Sequence, residues 1–179
     1  KQTDPVKAVK LVTANAWTKK LGMALVAGYA RQQLRSGVTT IRTVGGILDF
    51  DSRLRDAINA GKAVGPRILA GNMAVSVPGG HMAGSLAHVA HTPEEAADFV
   101  SQIAATGADL IKLMVTGGVL DAVRQGEPGV LKMEPALIKA ACDRAHALGL
   151  KVAAHVESPE GVRAALENPD TSHIDEILS

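Results

Sequence analysis

The stretch "GADLIKLMVTGG", Gly107 to Gly118, is apolar from Leu110 to Val115 except at Lys112. An ammonium group is seldom buried alone, because leaving water costs it more than its carbon stem gains. Three chemistries suit a lysine in such a run. It can sit in an ion pair with a neighbouring carboxylate such as Glu157. It can be a catalytic amine, since burial disfavours the charged form, lowers the pKa from its ordinary value of about 10.4 and frees a nucleophilic lone pair. The same neutral amine can also add to carbon dioxide, forming a nitrogen–carbon bond and losing a proton, to give a carbamate anion whose oxygens would hold divalent cations. This last reading needs metal-binding histidines nearby. His155, in "VAAHVE", is of the right type. Alone it reads as a satisfied histidine at a strand end; beside a lysine from the preceding strand it suits a metal site or a Schiff-base site.

The elements that must position these residues follow one repeating unit. A helical pattern ends at a glycine or a turn, and a short β-rich run follows, in "RSGVTTIRTVGG", "AVGPRILAGN", "ATGADLIKLM", "ALGLKVAAHV" and "NPDTSHIDEI". The runs start near Val38, Arg67, Asp109, Lys151 and Thr171. Between them, Thr92-Pro93-Glu94-Glu95 is a capping box with proline at the first helical position. Ala96, Phe99, Val100 and Ile103 then recur at helical spacing until Gly107 stops the helix. Pro135 opens another helix, with Leu137, Ile138, Ala141, Ala145 and Leu148 on one face, and Ser158-Pro159-Glu160 opens a third. Leu54 and Ile58 mark a shorter one. The region from Thr3 to Arg35 reads as helical, starting at Asp4-Pro5 and interrupted near Gly22.

Strands alternating with helices predict a parallel sheet with crossover helices, and the continuous apolar runs "DLIKLM" and "KVAAHV" fit strands buried on both faces. An open doubly wound sheet and part of a (β/α)8 barrel, which normally takes roughly 250 residues, both fit about five strands and five helices. In either, reactive groups belong at the C-terminal ends of strands. Those positions read as Arg42 and Thr43, Asn72, Lys112, His155 with Glu157, and His173 with Asp175 and Glu176. Two long connections, "NMAVSVPGGHMAGSLAHVAH" and "TGGVLDAVRQGEPGV", carry the glycine pairs Gly79-Gly80 and Gly117-Gly118, where backbone can approach a ligand closely.

Composition narrows the class. The chain has 179 residues, 46% of them apolar and only 2% aromatic, so one core must be packed from Ala, Val, Leu and Ile. A formal charge of +1 without like-charge runs gives no electrostatic case for nucleic acid or an anionic membrane. Cys142 is the only cysteine, so no intrachain disulfide can form. No signal peptide or membrane-length apolar run is seen, and the expectation is a cytoplasmic protein.

Taken in order, "LRSGVTTIRTVGG", "LRDAINAGKAVGPRILAGN", "PGGH", "GADLIKLMVTGGV" and "AHALGLKVAAHVESPEGVRAALE" resemble the metal-dependent amidohydrolase superfamily. Within it, they most resemble the branch of imidazolonepropionase-like and Xaa-Pro or Xaa-Arg dipeptidase-like enzymes. The resemblance runs from about Leu34 to Leu166. It implies a (β/α)8 barrel with one or two divalent metals, usually zinc, and a small amide, lactam or dipeptide substrate. Lys112 matches the family's carboxylated lysine and His155 its fifth-strand metal histidine. His173 is the candidate for the sixth-strand histidine, although "DTSHIDEILS" does not align cleanly with the family phrase. His81 in "PGGH" resembles a loop histidine that lines the substrate pocket with Gly79, Gly80, Gly117 and Gly118. His88, His91 and His146 match no role, and His146 reads as solvated.

The departures bear on activity. The family's first strand carries an H-x-H pair, and no H-x-H occurs among these 179 residues. The family's eighth-strand aspartate and its β-sandwich have no counterpart either, and Thr43 stands where the family often has aspartate. The expectation is a single partial-barrel domain over residues 1–179, family strands two to six, forming an internal and catalytically incomplete piece of a C–N hydrolase. Two alternatives stand beside it. A non-catalytic partial barrel would assemble, as a homo-oligomer, through its open sheet edges. A Schiff-base lyase would use Lys112 alone.

Overall fold

Short caps and prolines set the helices of the protein, whose computed structural model describes residues 4–119, 129–166 and 174–178. Helix α1 (Pro5–Thr13) starts where the Asp4 carboxylate accepts from Val6 N–H at 3.0 Å. The chain breaks at Ala14 and Asn15, and α2 (Ala16–Arg35) restarts on a capping box between Asn15 and Thr18. The expected interruption at Gly22 does not occur. Gly22 stays helical because it clears space between helices: a Cβ there would stand 2.5 Å from Val12 Cγ1 and 3.1 Å from Phe50.

The remaining elements are β1 (Thr40–Arg42), α3 (Phe50–Asn59), β2 (Arg67–Leu69), β3 (Ala74–Ser76), β4 (Ala87–Val89), α4 (Pro93–Ala105), β5 (Leu110–Met114), α5 (Pro135–Ala147), β6 (Lys151–His155), α6 (Pro159–Leu166) and β7 (Glu176–Leu178). Thr92 caps α4, and the Glu95 carboxylate reaches back to His91 N–H at 2.7 Å. Gly107 and Gly149, with φ of +80° and +74°, turn the chain after α4 and α5 into the next strands.

The pairings among the described strands are parallel. β1 pairs with β2, and a second sheet runs in the order β4-β3-β5-β6-β7. The five expected strands are present as β1, β2, β5, β6 and β7; β3 and β4 are additional and lie in the connection read as a long loop. β2 and β3 belong to different sheets and are separated by residues 70–73, where Asn72 takes a left-handed φ of +52°. The side of the sheet covered by α4 and α5 holds the main core, built on Val75, Val100, Ile111, Leu113, Ile138 and Val152. A smaller core of Ala30, Leu54, Ile68 and Ala70 joins α2 and α3 to β2. No described helix is long and apolar enough to cross a membrane.

Candidate functional site

Strand parity decides which side chains face away from the helices. Ile111, Leu113 and Val115 enter the helix-covered core, so Leu110, Lys112 and Met114 point to the opposite face, where Met114 clusters with Ala74 and Ala87. On β6, Val152, Ala154 and Val156 enter the core, which leaves Lys151, Ala153 and His155 on the inner face. Register then sets levels. Lys112 lies across from Ala153, and Ala153 from Glu176; Met114, His155 and Leu178 form the next level towards the strand C-termini.

Lys112 is 3% exposed. Burial lowers its pKa to about 8; the positive charge of Arg42 adds to the depression and the negative charge of Glu176 opposes it. Arg42 and Glu176 hold each other in a two-pronged ion pair, with Nη2 to Oε1 at 2.7 Å. The carboxylate acting on Lys112 is thus Glu176, not Glu157, whose backbone N–H donates to Thr116 Oγ1 at 3.1 Å. Asp175 and Glu176, read from the sequence as strand-end residues, instead precede and open β7, which is what puts Glu176 level with Lys112.

His155 stacks on His81, with ring centroids 4.4 Å apart and planes 19° from parallel. Burial lowers the His155 pKa, as do His81 and Lys112, against Glu157 and a hydrogen bond to the Gly117 backbone. The ring is therefore neutral at pH 7. With one ring nitrogen engaged at Gly117, Nε2 retains its lone pair, buried and without a hydrogen-bond partner among the described residues. Glu157 Oε1 approaches it to 3.4 Å; with the ring neutral and both atoms acceptors, this contact is not an ion pair.

The glycines shape this corner. A Cβ on Gly118 would stand 2.5 Å from His81 Nδ1, so only glycine admits the ring. Gly80 N–H closes a turn on Val77 O at 2.9 Å, and a Cβ there would meet Ser76 Oγ at 2.5 Å. Ser76 Oγ in turn donates to His81 O at 3.0 Å. Gly79 supplies the turn's positive φ of +68° and is otherwise exposed. The structure thus brings together Lys112, His155, His81, Gly117 and Gly118. His173 lies outside the described residues; β7 starts after it in the chain, and Leu178 is the β7 residue level with His155. His146 is paired rather than solvated, with Nε2 2.9 Å from Asp175 Oδ2. Sequence reading missed the joint role of Arg42 and Glu176. Polar residues of matching parity on β5 and β7 were the signal, and register was needed to read it.

The donors fit one side of a divalent-metal site. A neutral imidazole offers an unshared Nε2, and Lys112 loses its proton readily. Among the described residues, however, no group of three histidine, cysteine or carboxylate side chains could hold an ion, so this corner supplies a partial ligand set.

Comparison with known proteins places this geometry. The sequence model of the amidohydrolase family matches residues 17–176. The chain belongs to the amidohydrolase family. Among solved structures it is similar to a candidate prolidase from Bifidobacterium longum, at 44% identity and a TM-score of 0.68, covering 79% of this chain and 33% of that one. A Xaa-Pro dipeptidase with methionine bound in its active site matches at 32% identity and a TM-score of 0.75, covering 83% and 39%. An A. niger ochratoxinase matches at 26% and 0.72, covering 81% and 38%. No curated protein matches. The chain therefore spans between a third and two fifths of these relatives' lengths, and its strands and covering helices form a partial amidohydrolase barrel.

Proposed function

We propose that this chain contributes the lysine and one histidine ligand of a metal-dependent hydrolase that cleaves C–N bonds in small substrates: dipeptides, by likeness to the prolidase and dipeptidase relatives, or other amides and lactams. The carrying observation is the pairing of a buried, readily deprotonated Lys112 with a neutral His155 whose Nε2 is unshared, on adjacent strands of an amidohydrolase barrel. A divalent cation, zinc in the first instance, would polarise the scissile carbonyl and acidify water when bound. Lys112 prepares for it by losing its proton and adding to carbon dioxide; Arg42 and Glu176 balance the charge around that amine. His155 is oriented by Gly117 and braced by the His81 ring. Gly117, Gly118, Gly79 and Gly80 let backbone crowd the substrate side, and His173 is the candidate for a further ligand. By itself the chain, which has no H-x-H pair, is expected to bind metal weakly and to turn over little.

Metal content of the chain purified without chelator, measured by inductively coupled plasma mass spectrometry, tests this reading. Expected is substoichiometric zinc that rises on incubation with zinc and bicarbonate and falls in both Lys112→Ala and His155→Ala. Metal uptake unchanged by either substitution would overturn the assignment of these two residues.

A further inference from the structure

Glu157 follows β6 by two residues. Strand parity puts it on the inner face with Ala153 and His155, while Val156 between them enters the main core. Its backbone is held from several sides. Its N–H donates to Oγ1 of the buried Thr116 at 3.1 Å. Val156 N–H donates to Leu178 O at 2.9 Å, which carries the pairing with β7 one residue past β6. A Cβ on Gly129 would stand 2.6 Å from Glu157 O, so only glycine lets that backbone close over it.

The side chain in this frame is only 19% exposed, yet no counter-charge meets it. Among the described residues its one titratable neighbour is His155, with Oε1 3.4 Å from Nε2. That is longer than an N–H···O bond of about 2.9 Å. Nε2 is also buried without a hydrogen-bond partner, so Oε1 stands off the axis along which the ring nitrogen donates or accepts. A shared proton needs the oxygen on that axis. A shared cation needs the ion on the axis and the oxygen beside it. Two ligands of a tetrahedral zinc, each about 2.1 Å from the ion, lie about 3.4 Å from one another. Glu157 and His155 have that spacing. Two acceptors side by side in a buried corner are unfavourable until a cation lies between them.

We infer that Glu157 Oε1 and His155 Nε2 are adjacent ligands of one divalent cation, with Lys112, once carboxylated, as the third donor. This rests on the reading of Lys112 and His155 as ligands given above, and adds a residue to which the family resemblance gave no role. Lys112 lies on the adjacent strand, on the same face and two residues lower, a drop of about 6.6 Å that its long stem can span. It completes the set of three donors that histidines and carboxylates alone do not reach among the described residues. Three protein donors with a position left for water make an open zinc site, and one imidazole with two oxygen donors also accepts cobalt or manganese.

Cobalt(II), whose visible absorption reports its ligands, is the probe. It is titrated into the whole metal-free chain in bicarbonate buffer, with the zinc-induced rise in melting temperature as a second readout. Expected is saturable binding at a single site. Glu157→Gln keeps the shape of the side chain and removes its charge. It should weaken cobalt binding at least about tenfold, change the visible spectrum and remove most of the zinc-induced rise, while the melting temperature in chelator stays equal or higher. Glu157→Asp, with the charge on a shorter stem, should recover part of the affinity. His155→Ala should lose the spectrum altogether. Affinity and spectrum unchanged in Glu157→Gln, with His155→Ala still losing the ion, would overturn this inference and leave the lysine–histidine reading standing. Weaker binding with an unchanged spectrum would also overturn it, making Glu157 a positioning residue for His155. Binding indifferent to His155→Ala and Lys112→Ala, or no cobalt bound by the unaltered chain, would overturn both readings.

Discussion

Lys112 gives up its proton near pH 8 because most of what surrounds it is carbon. Glu176 would restore the charge, but Arg42 already holds that carboxylate. The consequence for stability has a definite sign. An unfolded lysine stays protonated to about 10.5, whereas the folded one does so only to about 8. Between those values folding must release a proton, so this residue costs most stability below pH 8, and the cost fades as pH rises towards 10.5. A depression of that size corresponds to roughly 3 kcal/mol. Lys112→Met keeps much of the stem's volume and removes the amine. In bicarbonate-free buffer it should stabilise the protein by about 1–3 kcal/mol at pH 7, with the gain shrinking on titration towards 10.5. Urea unfolding of both proteins at the two ends of that range measures it; equal stability at pH 7 would mean that the ammonium reaches water. The lysine itself was legible in the sequence, as one polar residue in an apolar run. Its balance of charges was not, because Arg42 and Glu176 meet across 134 positions of chain and only strand register reveals their level.

At the scale of elements, the helices and the strands between them were readable because caps, prolines and terminal glycines are local signals. The separation of β2 from β3 was not, since it is set by partners distant in sequence. Asn72 turns the chain at φ +52° and is held there from outside. Its Oδ1 accepts from Ser52 N–H at 3.0 Å, and its Nδ2 donates to Ser52 Oγ at 3.0 Å and to Thr106 Oγ1 at 2.8 Å. One buried amide thereby joins the start of α3 to the end of α4, and asparagine tolerates the left-handed backbone better than most residues. Asn72→Ala strands a buried N–H and keeps the strained backbone, so a loss of about 2–4 kcal/mol is expected. Asn72→Gly loses the same bonds but relieves the strain, and should be the less damaged by about 1 kcal/mol. Chemical denaturation of the pair separates the two contributions; alanine and glycine variants of equal stability would show that the backbone bears no strain there.

The described residues build two main cores, joined by polar ties, beside the small inner-face cluster of Ala74, Ala87 and Met114. The larger lies between the five-stranded sheet and α4–α5, the smaller between α2, α3 and the β1–β2 pair. Across the boundary, the Asp109 carboxylate accepts from Ala70 N–H at 2.7 Å and pairs with Arg55 Nη1 at 2.7 Å, while Arg55 Nη1 also donates to Gly107 O at 2.7 Å. The Arg42–Glu176 pair ties β1 to β7. Separate apolar clusters joined largely by polar ties, of which the Asn72 amide is the buried one, are the conditions under which a protein opens in separate units rather than all at once. Native-state hydrogen exchange should therefore resolve two tiers, with the β5 and β6 amides slowest and those of α2, β1 and β2 opening at lower free energy. Asp109→Asn removes the charge from the tie and leaves one neutral amide oxygen to accept from both Ala70 N–H and Arg55 Nη1. It should lower the opening free energy of the faster tier by about 1–2 kcal/mol and leave the slower tier nearly unchanged. A single tier, shifted uniformly by Asp109→Asn, would mean that the smaller core is no independent unit and that the link between the two sheets at residues 70–73 transmits stability in full.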